Sequence, residues 1–413
     1  MVIPEKQTNW FNFQRFEPGI WAAAGIQAVR VMGYSISFTY LPLYLYQQRH
    51  LPMTFIGLTI LVSGLLSAVA QVIGGILADR FGHRKMFIIY QLGEFITFGL
   101  IALLIGIDAA IWAIIVVSIL VTAVGGMSSP TVSAMVADIS PENRMTESYG
   151  LLAIGSNLGW AIGPLLGGFL QSVTSYAWIF AAGAIINALS LCSIPFLPHN
   201  AVKRITERFS FNNIKSLMSN SALIIFCVLY LLFSLCIAQW GSTLSVFTVD
   251  RIGFSAEQYG FLMTISGVLI IIFQYPISRR IEWLGIRKAL FWGNFLYGVG
   301  FLSLTWVRTF IPAVGSIIIL VAGEMLFVPT SLAVIGKLSK PNDRGKNMGI
   351  LGLFGTLGTS VGPLLGGFLL DRFPGRSFLL WGPVALPAFI AAFGFLLWRG
   401  YSLSPSTNNG DKN

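Results

Sequence analysis

The chain has 413 residues, of which 55% are hydrophobic and only 10% charged, whereas an ordinary soluble domain carries about a quarter charged residues. A mean hydropathy of +0.76 is more apolar side chain than a globular surface can hide, which excludes a string of soluble domains. The formal charge of +10 does not mark a nucleic-acid binder, because the basic residues are dispersed through short loops between apolar runs. Cys192, Cys227 and Cys236 lie in apolar runs without ligand spacing, and His50, His83 and His199 are widely scattered. Neither a disulfide framework nor a metal site is expected.

Residues 1–18 mix Glu5, Lys6, Arg15 and Glu17 with Trp10, Phe11, Phe13 and Phe16. They have no apolar core followed by a small-residue cleavage site and read as an aromatic collar at the membrane surface. Twelve apolar runs follow, each near the ~20 residues that cross a ~30 Å hydrocarbon core: 19–47, 54–78, 86–107, 110–137, 148–173, 176–197, 221–249, 256–278, 287–308, 312–337, 347–370 and 378–399. The organisation expected is an N-terminal six-helix bundle over 19–197, a polar linker over 198–220, a C-terminal six-helix bundle over 221–399 and a Ser- and Asn-rich tail over 400–413. With the N-terminus inside, the cytoplasmic segments hold twenty Lys and Arg residues. The outside loops hold five (Arg49, Arg251, Arg308, Arg372 and Arg376). That bias places both termini and the linker in the cytoplasm of a cell-membrane protein.

The two halves repeat. Gly-Pro-Leu-Leu-Gly-Gly-Phe-Leu occurs at 163–170 and again at 362–369, an offset of 199. Pro141-x-x-Arg144 is echoed by Pro341-x-x-Arg344. Asp79, Gly82, Arg84 and Lys85 correspond to Glu282, Gly285, Arg287 and Lys288 at an offset of 203. Agreement at three separate places argues for duplication, and parallel six-helix repeats leave a cavity between them near the bilayer midplane. The fold class is therefore an all-α membrane protein of twelve transmembrane helices in two pseudo-symmetric bundles.

The loop after the second run reads Gly75-Ile-Leu-Ala-Asp79-Arg80-Phe-Gly82-His83-Arg84-Lys85. Its glycine permits a tight turn, and its acid and cations can form a breakable clasp. The fifth run places Gly150, Gly159, Gly163-Pro164 and Gly167-Gly168 at fixed intervals, and the eleventh repeats them as Gly349, Gly358, Gly362-Pro363 and Gly366-Gly367. Glycines four apart let helix backbones approach closely in lipid, and the prolines bend the helices.

Both patterns resemble the major facilitator superfamily across essentially the whole chain, and in particular its twelve-span drug:proton antiporter group. The resemblance implies that the acid matching Asp79 meets the N-terminal end of the eleventh helix, where the helix dipole is positive. It also implies that a cation of the loop pairs with Asp138. The family's usual arginine four residues after the acid is here His83. Either Arg84 takes the pairing or the clasp answers to pH, since histidine changes charge near neutrality. The glycine–proline pattern resembles the family's antiporter motif, which implies export by exchange.

Ionisable groups within a span usually face a partner or an aqueous cavity. Arg30, Glu94 and Glu324 are such groups, and Gly323-Glu324-Met-Leu-Phe-Val-Pro329 resembles a tenth-span acid of several drug–proton exchangers. A buried carboxyl beside an aqueous cavity can exchange a proton for cargo; alternatively, Arg30 and Glu94 form a structural pair. The family's fourth-span arginine is replaced by Ser118, and Arg30 is a candidate substitute. Polar and aromatic residues within the spans are Gln27, Tyr34, Tyr40, Gln71, Asn157, Trp160, Asn187, Gln239, Trp240, Gln274, Asn294 and Trp306. An aromatic cavity suits lipophilic cations, while Arg30 argues for an anion, so the cargo's charge stays open.

The reading is a non-enzymatic secondary transporter without a cofactor, coupled to protons. It exports drug-like amphiphiles as a monomer, with the bilayer and a small-molecule cargo as its partners. The alternative is a facilitator or importer of a small metabolite.

Overall fold

Lipid offers no partner to a backbone N–H or C=O, so apolar runs have to close their hydrogen bonds internally, as helix. The computed structural model describes residues 17–140, 144–196, 221–338 and 344–398, and among these there is no strand. The first half comprises α1 (Pro18–Phe38), α2 (Leu41–Gln47), α3 (Met53–Phe81), α4 (His83–Gly106), α5 (Ile111–Ile139), α6 (Met145–Val173) and α7 (Tyr176–Leu189), which ends in a 3-10 segment, Ser190–Phe196. The second comprises α8 (Ser221–Ile237), α9 (Thr243–Val246) running into a π turn, α10 (Ala256–Leu284), α11 (Ile286–Ser303), α12 (Phe310–Leu338), α13 (Arg344–Arg372) and α14 (Ser377–Leu397). Residues 1–16 of the aromatic collar, the linker, the tail, Pro141 and Pro341 lie outside the described residues.

Nine of the described helices are long and apolar enough to cross a membrane. The first and seventh expected spans are not continuous. Pro42 has no N–H for the Phe38 carbonyl, and the chain breaks at Thr39–Tyr40. The seventh run breaks over residues 238–242, around Gly241. Large apolar side chains cover the outside: Val69, Ile76, Ile96, Trp112 and Trp178 are all more than half exposed. A surface of this kind is at home in lipid.

Single glycines divide α3 from α4 and α10 from α11. Gly82 (φ 97°, ψ 133°) and Gly285 (φ 83°, ψ 142°) occupy a region closed to side-chain-bearing residues. They are 203 positions apart, as the duplication requires.

The same arithmetic governs how the halves meet. A Cβ on Gly57 of α3 would lie 2.5 Å from the Pro363 carbonyl oxygen of α13, and one on Gly260 of α10 would lie 2.5 Å from that of Pro164 of α6. Gly64 abuts Ser360 as Gly267 abuts Ala161, and Gly367 abuts the Met53 backbone as Gly168 abuts that of Ala256. In each case the α3 and α10 positions differ by 203 and the α13 and α6 positions by 199. Further along these helices, a Cβ on Gly75, Gly150, Gly349 or Gly352 would meet open space. The halves touch at the end bearing Met53 and Asp371 and part toward the end bearing Gly82 and Gly285.

Candidate functional site

Where the halves diverge they enclose a cavity of about 670 Å³, a size that accepts a drug-sized molecule. Aromatic rings from both halves line it: Tyr34, Phe38 and Trp160 from one, Trp240 and Tyr259 from the other. Tyr34 stacks on Phe38 at 4.6 Å and meets Trp160 edge-on at 6.4 Å. Trp240 donates its Nε1–H to the Tyr297 hydroxyl at 2.6 Å, and Tyr259 donates its hydroxyl to the Trp240 carbonyl at 2.6 Å. The first bond fixes the indole of Trp240 and the second its main chain.

Glu324 is the one charged side chain in the lining among the described residues. Gly323 beside it lets α12 approach α11: a Cβ there would lie 2.6 Å from the Gly293 carbonyl oxygen. Ser118 and Asn157 also line the cavity. Arg30 and Glu94 lie behind this wall, where Arg30 Nη1 stands 3.9 Å from Glu94 Oε1. Arg30 also donates to Gln27 Oε1 at 3.3 and 3.4 Å, and Gln27 donates to Ser156 at 2.8 Å. Arg30 therefore does not take the place left by Ser118 in the cavity wall; it is drawn toward Glu94 and Gln27. Several other polar residues of the spans are committed to helix contacts. Gln239 donates to the Gly362 carbonyl, Gln274 to that of Met325 and Asn294 to that of Leu290.

At the open end, His83 itself joins the two acids. Its Nδ1 lies 2.6 Å from Asp138 Oδ2 and its Nε2 lies 3.1 Å from Asp79 Oδ1. The histidine thus sits in the bridging place expected for the arginine, where Arg84 was the other candidate. Asp79 is half exposed. The meeting expected between Asp79 and the N-terminal end of the eleventh helix is not made among the described residues, because the halves are apart at this end. Arg80 lies over the Phe81 ring at 5.3 Å.

The glycine–proline motif separates into two faces. Gly159, Gly163 and Gly167 lie against α1, where a Cβ on Gly159 would stand 2.7 Å from the Ala28 carbonyl oxygen. Pro164 and Gly168 face α10 of the other half. Likewise Gly358, Gly362 and Gly366 lie against α8 and the turn that follows it, while Pro363 and Gly367 face α3. One face packs within a half and the other forms the seam between halves.

A model of the Major Facilitator Superfamily matches residues 23–321 and 231–412. The chain belongs to the Major Facilitator Superfamily. It is 27% identical over 359 residues to the uncharacterized MFS-type transporter YttB of Bacillus subtilis, covering 85% of this chain and 88% of that one. It is 25% identical over 358 residues to the quinolone resistance protein NorA of Staphylococcus aureus, covering 82% and 87%. In fold it resembles a POT family transporter solved with 5-aminolevulinic acid, with a TM-score of 0.77 at 16% identity over 98% of this chain and 99% of that one.

In this superfamily member, polar contacts that the motifs do not single out close the seam. The Asp371 carboxylate accepts from Met53 N–H at 3.0 Å, Thr54 N–H at 2.7 Å and Thr54 Oγ1 at 2.6 Å. Ser172 donates to Glu257 Oε1 at 2.5 Å, and Arg251 donates to the Tyr46 hydroxyl at 2.8 Å. Asp371 and Ser172 stand two residues past the repeated octapeptides. Extending the duplication past its last identical residue is the signal that points to them.

Proposed function

We propose that this transporter exports lipophilic organic cations in exchange for protons, by alternating access to the cavity between its halves. The observation that carries the reading is Glu324. Its carboxyl faces an aromatic cavity and has no hydrogen bond or ion pair with the described residues, so it is available to a proton or a cargo cation in turn. Aromatic faces attract organic cations, and a lone carboxylate disfavours anions. Arg30, the residue that argued for an anionic cargo, is occupied behind the wall by Glu94 and Gln27. The likeness to a quinolone resistance protein accords with a drug-like cargo.

By the excess of Lys and Arg, the open end faces the cytoplasm, so this is the loading state of an exporter in the cell membrane. The cavity lies within one chain, and a monomer suffices. The test is flux of a fluorescent lipophilic cation in proteoliposomes against an imposed pH gradient. Cargo movement opposite to protons is expected. Flux indifferent to the gradient, or running with it, would replace this reading with a facilitator or a proton-coupled importer.

A further inference from the structure

We infer that Asp371 and Glu257 form two duplication-related arms of an outer latch that, together with the Arg251–Tyr46 hydrogen bond, holds the cavity shut at the Met53 end, and that breaking both arms is required for outward opening. The inference rests on the alternating-access part of the proposed function and not on the cargo or the coupling ion.

The first arm joins α13 to α3. The opening N–H groups of a helix have no partner within it, and Pro52, which precedes α3, supplies no side-chain cap. Asp371 supplies one from the opposite half, taking both the Met53 and Thr54 N–H groups and the Thr54 hydroxyl. A carboxylate at a helix N-terminus is also favoured by the helix dipole. The second arm joins α6 to α10 through Ser172 and Glu257.

The arms are related by the duplication. Asp371 and Ser172 are 199 apart and Thr54 and Glu257 are 203 apart, the offsets that govern every glycine contact along the two seams. Each arm is an acid and a hydroxyl, with the donor and acceptor helices exchanged. They are not equal in what depends on them. Helix α10 has its own capping box, with Ser255 and Gln258 bonding reciprocally, so its N-terminus does not need the latch. Helix α3 relies on Asp371, which makes that arm the stronger.

The latch can also open without trapping unpaired groups. Asp371 is partly exposed and Glu257 exposed, so water can take over the freed N–H and carboxylate atoms when the halves part.

The experiment places spin labels at Gln48 and Arg376, both exposed at this end and in different halves. Inter-label distances are measured in cargo-free lipid nanodiscs after the native cysteines are replaced. Asp371→Ala and Glu257→Gln are each expected to enlarge the long-distance population. Asp371→Ala should raise the ratio of long to short by about tenfold, since hydrogen bonds to a charged group are lost, and the double variant should raise it further. Asp371→Asn and Thr54→Val, which disturb the fold less, should shift it in the same direction by a smaller factor. Asp108→Ala is the control: its acid bonds Arg49 within one half and should leave the distribution unchanged. Distributions for the Asp371 and Glu257 variants that superimpose on wild type would overturn the latch. Because no cargo or proton gradient enters the measurement, the latch and the proposed transport activity fail separately.

Discussion

Gly57 and Gly260 occupy equivalent places in the two halves, each with its Cα beneath a proline carbonyl of the opposite half, Pro363 for one and Pro164 for the other. Side chains at these positions would push the seams apart where the structure is closed. Gly57→Ala and Gly260→Ala are each expected to destabilise this closed form by about 1–3 kcal/mol, the usual cost of overfilling a packed contact. Thermal unfolding in detergent measures the effect. Gly75→Ala is the comparison, because its Cβ enters open space and its helix gains from the substitution.

Glu324→Gln should abolish uphill transport while sparing movement down a gradient. If one monovalent cation is exchanged for one proton, each pH unit, worth about 1.36 kcal/mol, sustains about a tenfold cargo ratio. A neutral amide cannot carry the proton, so the ratio should relax to one. Steady-state cargo ratios in proteoliposomes at several imposed pH gradients give the answer, and an unchanged ratio would remove Glu324 from coupling.

The duplication, the helical character and the membrane class were legible because each rests on a pattern repeated along the chain, whereas the breaks in the first and seventh runs were not. Gly163-Pro164 and Gly362-Pro363 even anticipated the helices that form the seam. The latch was not, because Asp371 and Ser172 differ in type across the repeat and no identity search pairs an acid with a hydroxyl. The placement of Arg30 also depended on three dimensions. Its span named it as a buried charge, but only the fold, which packs α1 against α6 and α7 and brings Glu94 of α4 within 3.9 Å, decides that it turns from the cavity. His83 was visible as a departure from the family loop, whereas its reach to Asp138 depends on the approach of α5.

Gly82→Ala and Gly285→Ala test the turns that hold those loops. Both glycines have positive φ with extended ψ, where an L side chain is strained by about 1–3 kcal/mol. Each variant should lower the unfolding midpoint, although a Cβ at Gly285 would touch nothing. Replacing Gly241, which also has open space around it but no positive φ, should cost less. Equal losses at all three would show that backbone conformation is not the cause.

Arg30 and Glu94 call for a double-mutant cycle. The pair is nearly excluded from solvent, with 12% and 3% of the two side chains exposed, and Glu94 Oε1 has no hydrogen-bond partner. Removing one member of a buried ion pair strands the other charge, typically at about 3–5 kcal/mol, whereas neutralising both is often tolerated. The long 3.9 Å separation puts the expected single-variant losses near the lower figure. Arg30→Met and Glu94→Gln should each lower thermal stability, and the double variant should recover most of the loss. A merely structural pair predicts that uphill transport recovers with it. Restored stability without restored transport would instead give the pair, one wall behind Glu324, a part in the transport cycle.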